Sequence, residues 1–331
     1  MQNVKGEKKI MKKKYQPCKK AYVSKISLLS ILVILTSFSV AFSGCIDDNP
    51  PGSNQLFYSF EEGMEGWIPD GTDLSNPEIN WSIDVTDEHA YDADHSLRLY
   101  LNNLNDAGKI WIEKIFNATT NTQYEVTISY MFATSDYGDF NLFRIIAGAT
   151  SFDPETADDL VFQDDTGHHI DNETGLIWLN KSYTLTVHTD DNAEIYIALG
   201  VWGNWETHRT YYIDSVNISI TALSVDDLPD ISGNWMITYY DWTGNATKTE
   251  NVTISQSNWT VHIDSLNESL CTGLLMKNTL SLPFDKSEYC ITDCDFRGLG
   301  ISSIYVINET SMLTDLPLCE NCNPAIFTKI S

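Results

Sequence analysis

The stretch Tyr124-Glu-Val-Thr-Ile-Ser-Tyr-Met-Phe132 decides the fold class. Tyr124, Val126, Ile128, Tyr130 and Phe132 fall on one face of an extended chain, with polar residues and Met131 on the other. That period of two is the mark of a half-buried strand. Similar runs recur on both sides: Trp81–Val85, Ser96–Leu101, Ile110–Phe116, Leu142–Ile146, Ser182–Val187, Glu194–Val201 and Tyr211–Ile220. Turn clusters such as Asn102–Gly108 and Thr189–Asn192 separate them, and no amphipathic helix intervenes. About eight or nine short strands with regular turns predict an all-β sandwich or barrel over residues 56–223.

A second break falls at 224–230, Ser224-Val-Asp-Asp-Leu-Pro-Asp230. Beyond it, Ile231–Tyr240, Glu250–Gln256, Trp259–Ile263, Leu274–Leu282, Ile301–Ile307 and Ala325–Ile330 again read as short strands. Residues 231–331 are therefore expected to form a small antiparallel β-barrel or meander. The longest insertion in the first unit, Ser151–Gly175, carries eight acidic residues and the pair His168-His169, and reads as a hydrated surface loop.

The N-terminus is of a different kind. Residues 1–25 hold nine lysines and one acid, followed by the apolar run Ile26–Phe42 and then Ser43-Gly44-Cys45. A basic segment, an apolar segment and small residues before a cysteine describe a lipoprotein signal over 1–44, with Cys45 as the lipidated residue. The apolar run is also close to the ~20 residues that span a bilayer, so an uncleaved anchor is the alternative. Both place the rest of the chain at the extracellular face of the cell membrane, behind a polar Pro/Gly tether at 45–55.

Removing the nine lysines and Glu7 of residues 1–25 from the chain's 20 basic and 46 acidic residues leaves 11 and 45, a net charge of −34. Nucleic acid and anionic membrane faces are repelled by such a surface. Ten Asn-x-Ser/Thr sequons follow Cys45, which suits a glycosylated surface protein and, with the leader, an archaeal lipoprotein.

Phe60-Glu61-x-Gly63-x-x-Gly66-Trp67 near the start, Ala90–Arg98 one strand later and Tyr212-Ile-Asp-Ser-Val216 in the last strand are spaced like the jelly-roll carbohydrate-binding modules that accompany cellulases and xylanases. The resemblance spans roughly residues 56–222 and implies a jelly-roll sandwich that binds poly- or oligosaccharide. It also implies a structural calcium ion, with Glu61 and Asp214 at the matching positions and Asp87 and Asp92 as weaker donors. Calcium takes about six to eight oxygens, and a site joining both chain ends of a sandwich closes its longest loop. The opening Ile231-Ser-Gly-Asn-Trp235, with Val252–Gln256 and Thr272–Leu280, resembles the small lipocalin-like barrels of secreted microbial proteins.

Sugar recognition in such modules uses aromatic faces. Trp202 and Trp205, in a Gly/Asn-containing turn before the last strand, are the first candidates, and Trp111 and Trp178 the second. Adjacent Glu61 and Glu62 point to opposite faces of a strand, so they do not make the facing carboxyl pair of a glycosidase. No HExxH, phosphate loop or GxSxG elbow occurs. Cys271, Cys290, Cys294, Cys319 and Cys322 have spacings compatible with zinc, and an extracellular site favours disulfides. The expectation is a non-enzymatic, lipid-anchored glycan-binding protein. A structural or adhesion protein of the cell envelope is the alternative, and a glycoside hydrolase or polysaccharide lyase the third reading.

Overall fold

A computed structural model describes residues 54–75, 77–135, 142–166, 175–203, 207–266, 268–277, 288–296, 301–314 and 322–330. The leader, Cys45, Trp205, His168, His169 and Cys319 lie outside the described residues. Residues 47–331 form one compact unit, built from two β architectures, as the alternation anticipates.

The first is a sandwich of strands β1 (Asn54–Tyr58), β2 (Ile68–Thr72), β3 (Asn80–Thr86), β4 (Ser96–Asn103), β5 (Lys109–Asn117), β6 (Gln123–Thr134), β7 (Phe143–Thr150), β8 (Phe162–Thr166), β9 (Ile177–His188), β10 (Glu194–Gly203) and β11 (Thr207–Ala222). One sheet has the order β3-β4-β11-β6-β9, with β1 also on β11, and the other the order β2-β5-β10-β7-β8. From β4 to β7 and from β9 to β11, successive strands alternate between sheets, so their inward faces share one core. Leu97, Leu99, Val126, Ile128, Ile112, Ile145, Leu199 and Ile213 are buried there.

β11 is divided by a bulge between Asp214 and Asn217. Before the bulge it pairs with β4, from Thr207 to Ile213. After it, the same edge takes β1, from Asn54 against Ile220 to Tyr58 against Val216. Ser59–Trp67, which follows, is a turn whose first and last aromatics dive into the core. Phe60 and Trp67 are both buried, and Trp67 meets Tyr58 edge-on at 5.5 Å. Phe60 has φ +61, an uncommon conformation for an aromatic residue.

The insertion at Ser151–Gly175 differs from a plain surface loop. It contributes the 3-10 turn Ala157–Asp159 and the edge strand β8, which pairs with β7. Sequence patterning misses β8 because Phe162-Gln-Asp-Asp-Thr166 has too few apolar residues to signal a strand.

The second architecture is a closed barrel of β12 (Gly233–Asp241), β13 (Ala246–Ser257), β14 (Thr260–Asp264), β15 (Ser269–Lys277), β16 (Tyr289–Asp295), β17 (Ile301–Asn308), β18 (Ser311–Thr314) and β19 (Cys322–Lys329), in that order. Closure removes every sheet edge. Trp235, Ile237, Ile254, Ile263, Leu275 and Phe327 are among the side chains that fill its interior. β15 lies upstream of the expected Leu274–Leu282, because Leu270 and Cys271 are already buried in it. Cys271 and Cys294 form a disulfide between β15 and β16, Cys290 is buried on β16, and the side chain of Cys322 lies outside the described residues.

Sandwich and barrel touch at the end of β6. The β13–β14 turn ends the pairing of β15 at Leu274 against Thr260. From the next residue on, the buried side-chain amide of Gln123 takes over: its nitrogen donates to the Leu275 carbonyl at 2.7 Å and its oxygen accepts from the Lys277 N–H at 3.4 Å. Lys277 also pairs with Glu125, and His188 meets Trp259 at 6.5 Å.

Candidate functional site

The outward face of the five-stranded sheet follows from register. On β5 the residues alternate with the buried Ile110, Ile112 and Phe116, so Lys109, Trp111, Glu113 and Ile115 point away from the sandwich core. Trp202 pairs with Lys109 on one side and Arg144 on the other. These three therefore form one row across the sheet. Asp70, Trp111, Gly200, Ile146 and Phe162 form the next row.

Trp202 is half-buried and held from several sides. Its indole N–H donates to the Asp106 carbonyl at 3.0 Å. The Lys109 ammonium stands 4.7 Å from its ring centroid and the Arg144 guanidinium 5.8 Å. Phe162 tilts against it at 5.4 Å. Lys109 is itself fixed by Asp73 at 2.6 Å and by the Ala107 carbonyl at 2.7 Å. A cation near an indole face is attracted by the ring's quadrupole, so the ring is set in place before any ligand arrives.

Trp111 has a different fate. Its side chain is 0 % exposed and packs with Ile146, Ala198, Leu160 and Phe162. The insertion folds across this patch and delivers Leu160. Two glycines make the room: a Cβ on Gly148 would meet Val161 at 2.9 Å, and one on Gly200 would run into the backbone of Ile110 and Trp111. Trp111 is therefore part of a small outer core and offers no free face, a correction to its place among the candidate binding residues.

Below Trp111 lies an acidic group. Glu113, 7 % exposed, accepts the Trp111 indole N–H at 3.0 Å. Burial, with the charges of Asp153 and Asp70 nearby, pushes its carboxyl up to about 7. Burial likewise raises Asp153, with the charges of Asp70 and Glu155 nearby. Tyr196 donates to Glu194 beside them at 2.9 Å.

Trp178 is on the other sheet. It lies across Ala133 from Tyr212, its ring 6.4 Å from Tyr212 and 5.8 Å from the exposed Tyr91. The three described candidates, Trp111, Trp178 and Trp202, thus occupy two opposite faces rather than one surface, with Trp202 the accessible member of its face.

Glu61 and Asp214 do meet at one turn. Asp214, fully buried, accepts the N–H groups of Tyr91 and Asp92 at 2.8 and 3.1 Å, and its other oxygen that of Ser215. Glu61 accepts those of Asp94 and His95 at 3.0 and 2.7 Å, and its second oxygen faces the His95 ring at 3.0 Å. The His95 contact holds Glu61 below the usual carboxylate range and raises the imidazole. Burial raises the Asp214 carboxyl above its usual range, with Asp92 adding to it, and Asp87 stands close enough to His95 to favour its protonation. Among the described residues no three His, Cys, Asp or Glu side chains converge to hold a metal ion. A calcium ion here would draw its remaining donors from carbonyls and water. Three N–H groups compensate the Asp214 carboxylate and two the Glu61 carboxylate.

No protein-family model matches this chain, and no curated protein matches it. Solved structures do. The K1 cleaved adhesin domain of Lys-gingipain from Porphyromonas gingivalis is 13% identical, over 52% of this chain and 99% of that domain, with a TM-score of 0.33. The CBM22-1 xylan-binding domain from Paenibacillus barcinonensis is 14% identical, over 53% and 99%, with a TM-score of 0.28. TmCBM61, solved in complex with β-1,4-galactotriose, is 9% identical, over 48% and 92%, with a TM-score of 0.27. Structural neighbours of the chain include carbohydrate-binding modules, adhesin domains and a Stig cyclase from Fischerella.

The cation pair around Trp202 and the covering of Trp111 are not visible in sequence, because both depend on strand register and on a loop returning from far along the chain. The one available signal was the spacing of Lys109, Trp111 and Glu113, which puts them on one strand face.

Proposed function

We propose that this chain is a non-enzymatic glycan-binding protein of the cell surface, and that the Trp202 end of the five-stranded sheet contacts the sugar. The observation that carries this reading is a half-exposed indole locked by Asp106, Lys109, Arg144 and Phe162. A fixed aromatic ring stacks on the C–H face of a pyranose with little loss of side-chain entropy. Lipidation of Cys45 would hold the protein at the membrane, and a calcium ion at the Glu61–Asp214 turn would brace the sandwich.

Glu113 does not favour hydrolysis: it is buried and its oxygen accepts the Trp111 indole N–H, so it offers no free carboxyl to a glycosidic bond. The test is glycan-array binding by the purified mature chain. Loss of binding in Trp202→Ala, with Trp111→Phe unchanged, supports the reading; array binding that survives Trp202→Ala defeats it, as does hydrolysis of any polysaccharide.

Adhesion through protein contacts is the second reading. Ile68 and Ile115, 55 % and 42 % exposed, flank Glu113 on the same face. Partner binding lost on Ile68→Asp but kept in Trp202→Ala would select it.

A further inference from the structure

We propose that this chain carries N-linked glycans over the six-stranded sheet and the barrel, and that the Trp202 end of the five-stranded sheet is left bare. This inference does not depend on what the Trp202 end binds. It rests on where the fold puts sequons that are otherwise only a sequence motif.

Asn80, Asn180 and Asn217 alternate with core residues of β3, β9 and β11 and so point outward from the six-stranded sheet. Asn80 and Asn180 are exposed. In the barrel, Asn245, Asn251, Asn258 and Asn308 are all exposed. The five-stranded sheet has one sequon among its described residues, Asn117, at the last position of β5. Eight residues of strand separate it from Lys109, about 27 Å at the usual rise. Asn172 and Asn267 lie outside the described residues.

The side-chain amide of each site decides whether it is a usable acceptor. N-glycosylation joins the asparagine amide nitrogen to the anomeric carbon of a lipid-phosphate-linked oligosaccharide. The carbon–oxygen bond to phosphate breaks, the phosphate leaves with the electron pair, and one amide proton passes to a base. The amide nitrogen must therefore reach the donor. Asn308 is best disposed. It is the last residue of β17, at the turn into β18; its oxygen accepts the N–H and hydroxyl of Thr310 at 3.0 and 2.9 Å, and its nitrogen makes no hydrogen bond among the described residues. Asn217 is the opposite. It is half-buried, its nitrogen donates to the Ser215 carbonyl at 3.2 Å, and its oxygen accepts from Gln55 at 3.3 Å. Asn217 is tied into the contact between β1 and β11 and stays unmodified.

The experiment is glycopeptide mapping by mass spectrometry of the full chain isolated from its native membrane, with intact mass before and after chemical deglycosylation. Hexose-bearing peptides at Asn308, Asn80 and Asn180, with Asn217 bare, are the expected result. Bare asparagines at all three, or a glycan at Asn217 with Asn308 empty, would overturn the proposal. In the Asn308→Gln variant the intact mass should fall by one glycan while the thermal unfolding profile of the deglycosylated protein is unchanged. An unaltered mass counts against it.

Discussion

The side-chain amide of Gln123 continues a strand that belongs to the neighbouring barrel: it donates to the carbonyl of Leu275 just where β14 stops pairing with β15. The contact is buried, and it joins residues distant in sequence without a backbone ladder. Truncation in Gln123→Ala leaves the Leu275 carbonyl unmatched, at a cost of about 2 kcal/mol. Calorimetry should show one unfolding transition in the parent and two in the variant, with faster proteolysis between Ser224 and Asp230. A variant that melts like the parent would show that the amide does not couple the two units.

The turn held by Glu61 and Asp214 gives a second expectation. Asp214→Ala removes the acceptor of three N–H groups inside the protein and should cost about 3 kcal/mol. If calcium binds there, titrating it into EDTA-treated protein should add about 3 kcal/mol at a hundredfold excess over Kd, seen as a rise in melting temperature. That rise should vanish in Asp214→Asn. A melting temperature indifferent to calcium removes the ion from the proposal.

Glu113 makes the sandwich sensitive to pH. Its folded carboxyl titrates at about 7 against an ordinary 4.5, so the folded state holds the proton more tightly than the unfolded chain. The stabilisation is complete below pH ~4.5 and is lost as pH rises through about 7, an effect on the order of 3 kcal/mol. Glu113→Gln keeps an acceptor for the Trp111 indole and removes the titration. Its melting temperature should exceed the parent's at pH 8 and converge with it near pH 5; parallel curves across that range would refute the assignment.

Reduction tests the barrel separately. The Cys271–Cys294 bridge spans a sequence separation of 23, and closing a loop of that size stabilises by about 3 kcal/mol in the chain-entropy model. In the Gln123→Ala background, where the two units melt apart, dithiothreitol, or Cys271→Ala with Cys294→Ala, should lower the barrel's transition and leave the sandwich's nearly in place. A reduced barrel of unchanged stability would mean that packing alone closes it.

Much of the architecture was legible in the chain. Where apolar and polar residues alternate, as from Tyr124 to Phe132, the strand is where the pattern puts it. Strands without that contrast escaped: β2 is Ile-Pro-Asp-Gly-Thr and reads as a turn, and β16 contains two aspartates and two cysteines. Glu61 and Asp214, paired by the resemblance alone, both accept N–H groups of the turn at 91–95. Trp111 was misjudged, since its burial comes from Leu160, which returns across the sheet by way of β7. The surroundings of Trp202 were equally invisible. Lys109 and Arg144 become its neighbours through cross-strand register, and pattern along one strand does not report register between strands.

The placement of β1 has a mechanical consequence. Its five residues share the β11 edge with β4, on the far side of the bulge, each facing its own partner from Val216 to Ile220. Tension entering from the N-terminal side along the strand axis strains these pairs together, in shear, whereas a transverse pull would unzip them one by one. A chain hung from that end bears its load through β11, at the middle of the larger sheet, and not through an edge that peels.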